Sequence, residues 1–311
     1  MNTPPASSTS LVDTSPRPIG DLALQSGPLA FGLWRFTDPD VIRSTHVVEA
    51  ALEAGMTLFD TADVYGLDWG GTGFGRNEAI LGDVFAAAPE LRERMILATK
   101  GGIVPPIPYD SSASYLRDAV DASLRRLQTD TIDLYLIHRP DLFTHPGDVA
   151  KVLADLRSQG KIREVGLSNY TPSQHDALAG LLDFPIAAIQ PQFSAAHLEP
   201  MRDGTFDRAM RDGIVPMAWS PLAGGALATG DTVAAVRPEL IGVLDRIAQR
   251  EEVDRAVVAL AFVLAHPSRP VAIIGSQQPQ RIAAANTALR VYLDRNDCYD
   301  IIEASEGVPL P

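Results

Sequence analysis

From about residue 26 onward the chain alternates short apolar runs with longer stretches whose apolar positions recur at helical spacing. The short runs cover 29–34, 57–60, 95–99, 132–137, 164–167, 187–190, 214–218 and 271–274. Each is rich in Ile, Leu or Val, which is how parallel strands buried on both faces read. The stretches between them predict helices over 39–54, 76–88, 111–127, 147–159, 172–181 and 206–211. Two more, 239–250 and 254–265, separate the last two strands, and Pro267 and Pro270 end the second of them. Thr37–Asp38 and Ser111–Ser112 stand where helix N-caps belong. A final helix near 295–305 is expected to pack outside the rest.

Eight strands alternating with helices predict an α/β fold, a single (β/α)8 TIM barrel with extra loops and a C-terminal helix, over 21–311. At 311 residues the chain exceeds the usual single domain of about 100–200 residues, which leaves two domains in play. No Pro-, Gly- or Ser-rich linker breaks the alternation, so one barrel is the expected answer. Residues 1–20, rich in Ser, Thr and Pro, have neither a basic start nor an apolar core and read as a disordered tail, not a signal peptide.

Composition narrows the function. With 46% hydrophobic and 21% charged residues the chain can bury a sizeable core. A net charge of −13 argues against a nucleic-acid partner, which calls for a basic face. Cys298 is the one cysteine, so an intrachain disulfide and a cysteine zinc cluster are both excluded. The longest apolar stretch, 257–265, is far short of the roughly twenty residues of a membrane span. These features fit a soluble, reduced, cytoplasmic protein with no membrane partner. Oligomeric state is not legible, because a helix face buried on the barrel looks like one buried on a partner.

Barrel enzymes place their chemistry at the C-terminal ends of the strands. Those ends carry Asp60, Lys100, His138, Ser168, Asn169, Gln190, Trp219, Ser220, Gly275 and Ser276. Any one of them could be a capped turn or a structural ion pair; the whole set on one face points to a site. Tyr65 follows five residues after Asp60 and can lean over the mouth. A phenol titrates near pH 10, and an ammonium beside it stabilises the phenolate and makes it a better proton donor. Lys100 can supply that charge, Asp60 can hold the lysine, and His138 can donate to a substrate oxygen. Together they describe a site that protonates a developing alkoxide.

The motifs that carry these residues are Gly32-Leu33-Trp34, Phe59 to Gly66, Ala98-Thr99-Lys100, Asp133 to Pro140, Gly166-Leu167-Ser168-Asn169, Gln190, Met217 to Gly225 and Ile274-Gly275-Ser276. In that order the chain resembles the aldo-keto reductases, in a bacterial oxidoreductase-like branch. The resemblance implies an NADP-dependent enzyme that interconverts aldehydes or ketones and alcohols, with NADPH/NADP+ (NADH possible) lying extended over the barrel mouth. It makes Tyr65 the general acid, Asp60 and Lys100 its tuners and His138 the carbonyl-orienting group. It gives Ser168, Asn169 and Gln190 the nicotinamide carboxamide, and Trp219 the stacking role where the family more often has tyrosine. Ser220, Pro221, Leu222 and Gly224 would wrap the pyrophosphate, and Ser276 and Arg281 would read the 2′-phosphate. Gly32, Trp34 and Asp60 complete the expected cofactor contacts. The chain departs from the family pattern at Gly275, where many members carry a basic residue, and at Ala284 and Ala285 near the adenine.

Two other classes stay open on sequence. A metal-dependent barrel hydrolase could draw on Asp60, Asp63, His138, His145 and His175, although no His-x-His pair ends a strand. A non-catalytic barrel subunit that senses a nicotinamide cofactor would keep the fold without turnover. The glycine-rich 70–75 segment lacks the ending of a phosphate loop and reads as an extension after Tyr65, with Trp69 and Phe74 near the substrate. The substrate itself, a small carbonyl compound or alcohol, is not legible; Trp34, Trp69, Phe143 and Phe193 suggest an apolar component to its pocket.

Overall fold

A computed structural model describes residues 9–232 and 236–310. Among them eight strands, β1 (Leu29–Gly32), β2 (Leu58–Asp60), β3 (Ile96–Gly101), β4 (Ile132–Ile137), β5 (Ile162–Ser168), β6 (Ala188–Gln190), β7 (Val215–Ala218) and β8 (Val271–Ile274), close a barrel in sequence order. All neighbours are parallel, and the ring shuts where Ala30 of β1 sits in register with Ile273 of β8. The eight predicted runs are these strands. β3 extends past its predicted end because Lys100 and Gly101 keep pairing with Leu136 and Ile137 of β4.

The helices are α1 (Val41–Glu53), α2 (Arg76–Ala87), the single turn α3 (Glu90–Glu93), α4 (Ala113–Leu127), α5 (Pro146–Ser158) and α6 (Pro172–Ala179). They continue with α7 (Thr205–Asp212), the short α8 (Ala226–Thr229), α9 (Pro238–Glu251), α10 (Arg255–Leu264), α11 (Pro279–Ala285) and α12 (Arg295–Glu306). Local chemistry sets their starts. Ser112 accepts from the Tyr115 N–H, and Thr171 and Gln174 form a reciprocal capping box. The first helix opens later than predicted: Asp40 caps it, accepting from the Arg43 N–H at 3.0 Å.

Alternation along the strands decides what faces inward. The barrel interior is filled by Ala30, Leu58, Ile96, Ala98, Leu134, Leu136, Ala188, Val215, Met217, Val271 and Ile273. Phe31, Phe59 and Leu97 of the intervening register pack outward against the helices. A period of two then carries the inward face up to Gly32, Asp60, Lys100, His138, Ser168, Gln190 and Trp219. One parity rule thus gathers those expected site residues over the top layer of the core.

The N-terminal segment departs from the sequence expectation. Residues 1–8 lie outside the described residues, but from Ser10 on the chain is packed, not trailing. Ser10 Oγ donates to the Val291 carbonyl at 3.1 Å, and the buried Arg17 guanidinium bonds the carbonyls of Asp13 and Arg269 and pairs with the Asp13 carboxylate. Arg17 and Ser26 bridge antiparallel, and Ile19, fully buried, joins the barrel interior from below. Glu164 faces this floor and accepts from the Asp21 N–H at 3.0 Å. Polar composition hid this role, because Ser10, Arg17 and Asp21 are tied down by Val291, Arg269 and Glu164, all distant in sequence.

On the outer layer His266 stacks on Phe206 at 4.6 Å and contacts Phe193 at 6.1 Å. Burial lowers its pKa from 6.5 to about 4. The unfolded chain therefore takes up a proton near pH 6.5 that the folded chain refuses until about pH 4. The stabilisation is present above 6.5 and is lost as pH falls toward 4. We expect the urea midpoint of the wild-type protein to drop more between pH 7.5 and 5 than that of His266→Gln, measured by far-UV circular dichroism.

Candidate active site

Lys100 enters the mouth from the end of β3 with its side chain fully buried. Its Nζ donates to Asp60 Oδ2 at 2.8 Å, to the Thr61 carbonyl at 2.8 Å and to Tyr65 Oη at 3.2 Å. Those three bonds use every proton of the ammonium. The second carboxylate oxygen of Asp60 accepts from Gln190 Nε2 at 2.8 Å. A buried ion pair of this kind is tolerable because each remaining polar atom finds a partner.

Burial pushes the Tyr65 phenol above its ordinary value; Lys100 and Arg139 pull it down, while Asp60 pushes it up. The sequence expectation of a phenol lowered by the ammonium thus meets a larger opposing effect from desolvation. His138 lies edge-on to Tyr65, ring centres 5.9 Å apart. Burial, then the positive charges of Lys100 and Arg139, hold its imidazole well below the usual range, so it is neutral at pH 7. A neutral imidazole offers one N–H to a substrate oxygen. Its Nδ1 is buried without a hydrogen-bond partner.

The ends of β5 to β7 form a linked row. Ser168 Oγ donates to the Gln190 carbonyl at 3.1 Å, Asn169 Nδ2 donates to Ser168 Oγ at 2.7 Å, and Trp219 Nε1 donates to Asn169 Oδ1 at 3.0 Å. Asn169 holds a left-handed φ of 59° to reach both neighbours. Beyond Trp219 the loop through Pro221 and Leu222 turns on Ser220, Ala223, Gly224 and Gly225, all with positive φ, and Ser220 Oγ accepts from the Gly224 N–H at 2.8 Å. Arg281, exposed on α11, makes no ion pair among the described residues, and Ser276 Oγ accepts from the Gln278 N–H at 3.3 Å. An unpaired guanidinium and a glycine-bearing loop suit an anionic dinucleotide. Gly32 also has a packing reason: a Cβ there would lie 2.7 Å from the Ile273 side chain.

Trp34 and Trp69, each about half exposed, meet edge to face at 5.5 Å, and Trp34 lies 6.5 Å from Tyr65. Arg35 stacks on Trp69 at 4.0 Å. The glycine-rich segment folds back on itself, the Gly73 N–H bonding the Gly66 carbonyl at 2.9 Å. One aromatic expectation fails. Phe193 is fully buried in the outer core beside Phe206 and does not belong to the mouth, and Phe74, partly exposed, lies over Arg126. The metal candidates also scatter: Asp63 accepts from Tyr115, His145 caps α5, and His175 is buried on α6. Among the described residues no three His, Cys, Asp or Glu side chains group as metal ligands. Arg139 opens the 139–145 stretch, one of the loops expected to build the substrate pocket, but on sequence it carries no role of its own; its place directly after the inward-facing His138 is the signal that singles it out.

Residues 28–306 match the model of the Aldo/keto reductase family. The chain belongs to that family. A 6-dehydroglucose reductase of Novosphingobium aromaticivorans is 48% identical, covering 95% of this chain and 97% of the relative. A 6-dehydroglucose reductase of Agrobacterium fabrum is 35% identical over 91% of this chain and 96% of its own length. Among solved structures the glycerol dehydrogenase AKR11B4 of Gluconobacter oxydans superposes with a TM-score of 0.83 at 24% identity, covering 96% of this chain and 98% of that one, a likeness of fold. As an aldo/keto reductase the chain is an oxidoreductase with a small-molecule substrate, and the family's nicotinamide cofactor fits the mouth described above. No helix among the described residues is long and apolar enough to cross a membrane.

Lys100→Met in this aldo/keto reductase leaves the Asp60 carboxylate buried without its counter-charge. We expect a loss of about 3–5 kcal/mol in urea unfolding. Lys100→Met combined with Asp60→Asn should recover a clear part of that loss; equal losses in both would mean that the ion pair is not what holds this layer.

Proposed function

We propose that the chain is an NADPH-dependent reductase of aldehydes on hydroxylated carbon chains, with 6-dehydroglucose, the compound named for its relatives, as the leading substrate. The reaction is reversible, works on a free small molecule in the cytoplasm, and needs neither nucleic acid nor membrane. The observation that carries this reading is the 3.2 Å contact between Lys100 Nζ and Tyr65 Oη, with Asp60 behind the lysine.

When bound, the nicotinamide supplies a hydride to the carbonyl carbon. Tyr65 gives its proton to the carbonyl oxygen as negative charge gathers there. Lys100 stabilises the phenolate left behind, which offsets the burial that raises the phenol's pKa. His138, neutral, donates an N–H to the same oxygen and fixes the carbonyl's orientation. Asp60 and Gln190 keep the lysine aimed at Tyr65. Ser168, Asn169 and Gln190 would hold the carboxamide and Trp219 would stack on the nicotinamide ring. The 220–225 loop would follow the pyrophosphate, while Ser276 and Arg281 would meet the 2′-phosphate.

Tyr65→Phe should lower aldehyde reduction by about two orders of magnitude or more, followed as loss of NADPH absorbance, while NADPH binding measured by fluorescence stays near wild type. Wild-type turnover in that variant would remove Tyr65 as the acid. Wild-type protein that binds NADPH yet reduces no aldehyde would favour the cofactor-sensing reading. Arg281→Ala should weaken NADPH about tenfold or more while changing NADH little, because a charged hydrogen bond is lost only with the phosphate. Equal losses for both cofactors would remove Arg281 from the 2′-phosphate site.

A further inference from the structure

Arg139 follows His138 at the end of β4, half-buried at the mouth. Its guanidinium lies 5.9 Å from the centre of the Trp219 ring. Among the described residues it makes no ion pair and no side-chain hydrogen bond. The nearest acid along the chain is already engaged: Asp141 accepts from the Ser111 N–H at 2.9 Å, the Thr144 hydroxyl at 2.6 Å and the Phe143 N–H at 3.0 Å. Arg139 is close enough to Tyr65 and His138 for its charge to act on both. A planar cation with five donors and no acceptor, set beside the reacting groups, is a site waiting for oxygen atoms.

The aromatic neighbours of Tyr65 differ in kind. Trp34 and Trp69 offer two half-exposed indole surfaces. Flat indole surfaces together with a fork of donors suit a molecule with C–H faces and hydroxyl edges, which is the surface chemistry of a sugar. We propose that Arg139 is the specificity-determining residue of this site, donating to a hydroxyl oxygen next to the substrate carbonyl and selecting hydroxylated over plain aldehydes. This rests on the carbonyl-reductase reading above and deepens it.

The test compares kcat/KM for glyceraldehyde, propanal and glyceraldehyde 3-phosphate in wild type, Arg139→Met and Arg139→Lys, with NADPH as cofactor. Wild type should favour glyceraldehyde over propanal. In Arg139→Met that preference should fall by roughly ten- to a hundredfold, the range for one charged hydrogen bond, chiefly through KM. Arg139→Lys should restore part of it, and the Kd for NADPH should stay within about threefold, less than the tenfold step of a lost contact. Equal losses with both uncharged aldehydes would overturn the proposal, assigning Arg139 to the electrostatics of Tyr65 and His138 instead. A loss confined to the phosphorylated aldehyde would also overturn it, making an anion the group recognised. A weakened NADPH affinity that accounts for the whole effect would overturn it as well. If wild type reduces none of the three while binding NADPH, the carbonyl-reductase reading falls and this assignment falls with it; intact turnover with unchanged preference in Arg139→Met refutes Arg139 alone.

Discussion

An ammonium group with none of its side chain exposed can persist in a folded protein only where its charge is answered on every side. Lys100 meets that condition through Asp60, the Thr61 carbonyl and Tyr65 Oη. The requirement propagates outward. Asp60 has to sit at the end of β2, the neighbouring strand, and its second oxygen has to find Gln190, 130 residues further along the chain. Gln190 in turn fixes Ser168 through its carbonyl, and Ser168 is in register with it across β5 and β6. One desolvated charge therefore sets the arrangement of four strand ends, and the barrel supplies the closure that lets β2, β3, β5 and β6 meet over one point.

Much of that arrangement is legible in the sequence because the rule that produces it is local. Alternation places Leu58 and Asp60, or Ala98 and Lys100, on the same face, so a polar residue two steps beyond an inward apolar one inherits the barrel interior. The eight strands, the inward placement of Asp60, Lys100, His138, Ser168, Gln190 and Trp219, and the motif order all follow from this short-range reading. What stays hidden depends on partners remote in sequence. Arg17 looks like a tail residue until Asp13 and Arg269 surround it. Phe193 looks like a pocket aromatic until Phe206 and Phe262 pack against it. The direction of the Tyr65 shift was also out of reach, since it depends on how much desolvation the fold imposes against the nearby positive charges.

The same balance of burial against charge separates the two titrating groups at the mouth. Burial disfavours the charged form of each, which raises a phenol and lowers an imidazole. Tyr65 therefore keeps its proton and His138 lacks an extra one near neutral pH. Lys100 and Arg139 act on both groups in one sense, favouring phenolate and opposing imidazolium. For a proton donor this is a useful tension: the phenol holds its proton until negative charge appears on a neighbouring oxygen, and the ammonium then stabilises what remains. A neutral imidazole beside it donates a hydrogen bond without competing for the role of acid.

The acidic balance of the chain gives these few cations their meaning. With a net charge of −13, most arginines near the surface are spoken for, as Arg208 is by Asp176 and Arg255 by Asp245. Arg139 and Arg281 are not, and Arg35 is engaged only by an indole ring and the Gly224 carbonyl. Arg139 beside Trp219 and Arg35 beside the Gly224 carbonyl bring positive charge to the mouth of a protein that is negative overall. Under the proposed reading the 220–225 and 276–281 segments take the phosphates of a dinucleotide, and Arg139 meets the substrate. Net charge gives the background, and the placement of Arg139 beside His138 and Trp219 is what marks it out among the arginines without an ion pair.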